Sequence, residues 1–303
     1  MGDQRYRFRI AIMTSQRPPQ RVSGIKGPEA YSPPSRPPES AGEQAQDAYR
    51  QTRFLLGADL DLLQDLMTLQ LGLVKDAYQT RTHAAAAILG LWSRSFTYIS
   101  DAGLLISRGS YMSVLPLARA ACECIAATEG LRAGELAMHH EWLANTLKPN
   151  ERFKAFEFQL GRYMAQEVVI NDPLLRSVYR PAADLGRPAF GATLLQTGPE
   201  SNNVRVAIGF ADASFHLGWA EITLGWLLAL AARQLQVIVE ATDVFPTSDE
   251  RRQRYEALRK QADEALSRSD RCRIEEVEDR GDRRYLVHNF RRAASGAAKK
   301  ILL

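Results

Sequence analysis

The chain has 303 residues, 45% of them hydrophobic and 24% charged, with a net charge of +4, enough for one large core or two smaller ones. The first 28 residues carry +5 and the last 21 carry +6, which leaves residues 29–282 at −7. This argues against a broadly basic folded surface and places the positive charge in the two ends, which read as solubilising tails, with contact to a protein or nucleic-acid partner as the alternative.

At the N-terminus, the apolar run "IAIM" is too short for the core of a signal peptide. Half of the fourteen prolines lie between Pro18 and Pro38, a spacing that no helix survives. Residues 1–42 therefore read as a disordered, proline-rich basic arm. The body begins near Glu43, where Leu55, Leu56, Leu60, Leu62, Leu63, Leu66, Met67 and Leu71 recur at helical spacing, with Gly57 and Gly72 as candidate breaks. A helix is predicted over about 82–107 and another over 111–130, joined by "RGS". So short a link makes the two antiparallel neighbours.

Further helices are predicted at about 133–147 and 152–168, separated by "KPNE". Asp172 followed by Pro173 starts another, which Pro181 should kink or end. At 191–210 the period changes to two, with Val204, Val206 and Ile208 alternating with Arg205, Ala207 and Gly209. This segment reads as a small β-hairpin inserted among the helices.

A long helix follows over about 212–242. Its apolar stretch 217–232, interrupted by Glu221, is short for a membrane span and suits a buried helix, so no membrane contact is expected. His216, at the start of this helix, reads as a cap-region residue. Residues 248–269 form a charged helix capped by Ser248 or Asp249, and "DRGD" at 279–282 suggests a marginal second hairpin. The reading is all-α: an antiparallel bundle over 43–245 with a peripheral charged helix and basic tail over 246–303.

No dinucleotide or phosphate-loop glycine pattern, HExxH, CxxC or GxSxG occurs, so nothing calls for a cofactor. Cys122, Cys124 and Cys272 give neither a disulfide framework nor zinc spacing, and a reducing cytoplasm is expected. Arg119 and Glu123 stand one turn apart in an apolar helix. They are an ion pair fixing helix register, a ligand-binding pair, or an acid–base pair if Glu123 is buried. Arg176, Tyr179, Arg180, Asp184 and Arg187 form a denser polar group suited to an anion. Glu135 and His139, with His140 beside them, are the candidates for a metal-dependent oxidase together with Glu123, although their spacing is one residue longer than Glu-x-x-His.

The stretch "LLISRGSYMSVLPLARAACECIAATEGL", residues 104–131, resembles the central helices of a family of uncharacterised bacterial all-α proteins related to the HEPN superfamily. In that family a turn leads into an apolar helix carrying Arg and, four residues on, Glu, the places of Arg119 and Glu123. A later Tyr–Ser–His–Pro segment corresponds to 178–188, where Tyr179 matches but Ala182 or Ala183 and Gly186 or Arg187 stand at the serine and histidine positions. The resemblance spans about 82–240. It implies a helical bundle, and as an enzymatic alternative a divergent RNA-processing or phosphodiesterase activity using Arg119, Glu123 and Arg187. Ribonucleases of the HEPN superfamily carry a histidine four to six residues after an arginine; none follows Arg119 at that spacing, which favours a binding module for a macromolecule or a small anion, and the small-residue helix faces suit a homodimer.

Overall fold

The computed structural model describes residues 26–77, 83–133, 147–150, 155–158, 169, 171–199, 201, 204–242, 244–290 and 300–303. Eight α-helices run through them: α1 Glu43–Leu55, α2 Gly57–Asp76, α3 His83–Ser107, α4 Val114–Ala133, α5 Pro173–Leu185, α6 Phe190–Thr197, α7 Leu217–Glu240 and α8 Asp249–Ser267. Two small sheets accompany them, β1 Leu147–Asn150 with β2 Ala155–Phe158, and β3 Arg273–Asp279, β4 Asp282–His288 and β5 Lys300–Leu302. All pairings are antiparallel.

The bundle is organised around α7, which packs against α2, α3, α4 and α8. Its length and composition would suffice to cross a bilayer, but 83% of its most apolar window is buried inside the protein. Trp219, Leu224, Leu227, Leu228, Leu235 and Ile238 lie in the same core as Leu63 and Leu66 of α2, Ile99 of α3 and Ile125 of α4. His216 caps α7, its Nδ1 accepting from the Trp219 amide at 3.2 Å.

Helices α3 and α4 pair along their length, joined through Gly109 and the 3-10 turn Tyr111–Ser113. Gly109 has φ +75°, and a Cβ there would lie 2.1 Å from the Ala213 carbonyl oxygen. No other residue fits that turn without displacing the loop before α7.

The sequence expectations fail at several places for identifiable reasons. The break falls at Leu56, beside Gly57, while α2 runs unbroken through Gly72 beneath the Arg251 guanidinium. Pro181 lies inside α5 without ending it. Burial of Leu175 and Val178 before it, and of Ala182 and Leu185 after it, holds the helix across the missing amide. Residues 155–158, placed in a helix from sequence, form β2; "AFEF" has a period of two.

The hairpin expected near 191–210 is not there. Residues 190–197 form α6, with Ala192 and Leu195 buried three residues apart and the Trp219 indole donating to the Leu195 carbonyl at 3.2 Å. The hairpin inserted among the helices is instead β1–β2. The second hairpin, β3–β4, is present and turns through Arg280 and Gly281, at φ 55° and 86°. Two positive φ values in succession give the tight turn that matches strand twist.

Both ends of the bundle also differ from expectation. Residues 26–42 form neither helix nor strand, yet Tyr31 is buried with its ring 5.9 Å from that of Phe96, edge to face. The described part of the arm is therefore docked, whereas residues 1–25 lie outside the described residues. The segment 246–303 is not peripheral. Tyr255, Leu258 and Ala262 of α8, and Cys272, Val287 and Phe290 beyond it, belong to the main core. In the tail, Arg283 and Arg284 sit in β4 and the last residues pair with β4 as β5.

Candidate binding surfaces

Three of the residues singled out from sequence meet on one surface. Arg119 and Glu123 of α4 form an ion pair at 3.2 Å, and the Arg119 guanidinium lies 5.4 Å over the Tyr179 ring of α5. The pair is not the buried clamp the sequence suggested, since the side chains are 50% and 26% exposed. Each turn of α4 has one face on α3, α5 and α7, and the two charges fall at its margin. Glu123 is partly buried, and its carboxylate is engaged by Arg119. A neighbour invisible in the sequence pattern completes this surface: Arg94 of α3 donates to the Tyr98 hydroxyl at 3.0 Å. That bond, and then Cys124, raises the Arg94 pKa.

The nearby thiols are not nucleophiles. Burial pushes Cys122 well up and raises Cys124 despite the opposing pull of Arg94, so both stay protonated near neutrality.

The arginines of α5, and Arg187 just past its end, have other partners or line another cleft. Arg180 binds Glu276 of β3 at 2.7 Å, and Arg187 binds Asp184 at 3.2 Å. Asp184 also accepts from Arg283 at 2.9 Å and from the Tyr285 hydroxyl at 2.6 Å. Burial first, and then Asp184, raise the Tyr285 pKa. Arg187 lies two residues past the end of α5 and pairs with Asp184, while Arg119 and Glu123 pair with each other on α4, so no contact among the described residues joins the three. Arg176 lines a separate cleft against β3. Glu135, His139 and His140 lie outside the described residues. Among the described residues no three His, Cys, Asp or Glu side chains are grouped to hold a metal ion.

The strongest polar networks were not foreseen, and they are structural. Asp59 of α2 is 3% exposed and pairs with Arg271, itself 2% exposed. Arg271 also donates to the Glu221 carbonyl at 3.0 Å, while the Glu221 carboxylate accepts the Cys272 amide at 2.9 Å. This network fastens the segment before β3 onto α2 and α7. A second one centres on Arg233 of α7, which binds Glu129 and, at 2.8 Å, Asp172. The same Asp172 caps α5 through the amides of Leu174 and Leu175. Of these residues only Glu221, as a carboxylate interrupting an apolar stretch, and Asp172, as a helix start, gave a signal in the sequence.

A different surface is apolar. Val204, Val206, Ile208 and Phe210 are 96%, 66%, 62% and 97% exposed, while Ala207 and Gly209 between them are partly covered. The segment is stitched to the body along one edge. Ser201 Oγ donates to the Ala207 carbonyl at 3.2 Å and accepts its amide at 3.0 Å, and the Gly209 amide donates to the Thr197 carbonyl at 2.7 Å. Alternating contact and exposure is the habit of a strand, in which successive residues direct their backbone groups to opposite edges. The backbone groups of Val206 and Ile208 make no hydrogen bond to any described residue. Phe190, 84% exposed, stands at the far end of α6, about 10 Å from Thr197 along the helix. Comparison of the chain with family models, with curated proteins and with solved structures finds no match.

Proposed function

We propose that the chain is a non-catalytic interaction module whose macromolecular partner pairs with residues 204–210, and that this partner is in the first instance a second copy of the chain. The observation that carries this reading is the row of exposed apolar side chains at Val204, Val206, Ile208 and Phe210. Such a row beside an open backbone edge is a template for strand pairing, which unassociated proteins blunt with charge, proline or a covering element.

The segment suits its own copy. Antiparallel pairing about a two-fold axis through Ala207 sets Val206 opposite Ile208 and Val204 opposite Phe210. Arg205, the charged residue of the run, then faces Gly209 rather than another Arg205, so like charges are not opposed. The apolar pairs provide association energy, and the backbone edges fix the register.

Sedimentation velocity of the full chain over a range of concentrations tests the reading. Self-association is expected, and Ile208→Asp, at an exposed position where folding is spared, weakens it by at least about 100-fold because the carboxylate would be buried unpaired. A wild-type chain that stays monomeric, or an Ile208→Asp chain that associates as the wild type does, contradicts it.

A further inference from the structure

Between α5 and the edge strand β3 lies a cleft of about 360 Å³, a size usual for small-molecule sites. Pro173, Pro181, Ile274 and Tyr285 give it apolar walls. The Tyr285 hydroxyl is committed to Asp184 at 2.6 Å, so its ring is what it offers a ligand.

The charges that line the cleft divide unequally. Glu276 is taken by Arg180 at 2.7 Å, and Glu275 lies 2.9 Å from His288 Nε2. Arg176 of α5 and Arg273 of β3 line the same cleft, and neither guanidinium has a hydrogen bond or ion pair to any described residue. Two cations without carboxylates thus stand where the carboxylates already have partners.

We propose that this cleft binds a small molecule carrying one anionic group, a carboxylate or a phosphate, on an apolar or aromatic body. Arg176 and Arg273 hold the anion from opposite walls through charge-assisted hydrogen bonds, the forked guanidinium matching the planar or tetrahedral oxygens. The body of the ligand lies against Ile274 and the Tyr285 ring. Ser177 Oγ donates to the Leu174 carbonyl at 2.8 Å, which leaves its oxygen able to accept from a ligand hydroxyl. No residue of 190–210 takes part, so the inference stands or falls apart from self-association.

Isothermal titration of the full chain with phenyl phosphate, benzoate, inorganic phosphate and phenol tests it. Phenyl phosphate or benzoate, whichever carries the better-matched head, binds saturably at one per chain. Inorganic phosphate and phenol each bind more weakly, lacking one half of the recognition. Arg176→Gln and Arg273→Gln each weaken binding roughly 10-fold, and the double substitution roughly 100-fold. Arg187→Gln, outside the cleft and paired with Asp184, leaves it unchanged. All three arginines are exposed, and unchanged thermal melts confirm that the variants fold. No saturable binding of phenyl phosphate or benzoate up to about 10 mM, or equal affinity in the double variant, overturns the proposal.

Discussion

Replacing Asp59 by leucine removes a carboxylate that is 3% exposed and leaves Arg271, 2% exposed, without a counter-charge. The stranded guanidinium keeps the carbonyls of Glu221, at 3.0 Å, and Ala265, at 3.5 Å, but these neutral acceptors do not balance its charge. Breaking a buried pair from one side costs about 3–5 kcal/mol, and Asp59→Leu should fall in the upper half of that range. Arg271→Met is the milder change, about 2–3 kcal/mol on the same principle, because Asp59 retains Arg268 at 3.3 Å. The double variant should lose less than the sum of the single losses by about 2 kcal/mol or more, since neither charge is then left alone. Urea unfolding of the full-length chain, followed by far-UV circular dichroism, measures all three differences. Because Arg271 and Cys272 lead directly into β3, Arg271→Met should also loosen the cleft wall and weaken anion binding. Single variants each within about 1 kcal/mol of wild type, or strictly additive losses, would refute the view that this network anchors the C-terminal segment.

Arg119→Ala and Glu123→Ala should each change stability by less than about 1 kcal/mol, as for other solvent-facing pairs, with Arg119→Ala slightly the larger for its loss of the Tyr179 ring; thermal melts of the two variants check this. Tyr111 is 4% exposed, and burial pushes its hydroxyl from 10.0 up to about 12. The folded chain keeps a proton that the unfolded chain releases, so this contribution is intact below pH 10 and declines by about 1.4 kcal/mol per pH unit as pH rises toward 12. In Tyr111→Phe that part of the alkaline loss should vanish. The same variant should cost about 1 kcal/mol at neutral pH, since the His216 amide donates to this hydroxyl at 3.2 Å; unfolding curves of both chains at pH 8 and pH 11.5 separate the two effects.

The bundle was legible where long helical periodicity met clear punctuation. The α3–α4 pair, the Asp172–Pro173 start of α5, the His216 cap and the Ser248 cap of α8 all follow from local residue chemistry. Short apolar runs were ambiguous, and "GATLLQT" became a helix because Ala192 and Leu195 meet the core at helical spacing. With 191–197 helical, the backbone groups of Val206 and Ile208 pair with no described residue, and the expected hairpin does not form. The Arg119–Glu123 spacing correctly gave an ion pair, but spacing on one helix cannot say which face its neighbours cover. Arg271 and Asp59 stand 212 positions apart, so no local pattern links them. The cleft arginines are likewise supplied by α5 and β3, which only the tertiary fold brings together.

Amide hydrogen exchange at Val206 and Ile208, measured at concentrations well below and well above the onset of self-association, reads the pairing of residues 204–210 residue by residue. Strand pairing between copies gives slow exchange of these two amides in the concentrated sample and fast exchange in the dilute one, with Ala207 and Gly209 protected more evenly by Ser201 and Thr197. Exchange at Val206 and Ile208 that is equally fast at both concentrations, while the chain associates, would contradict it.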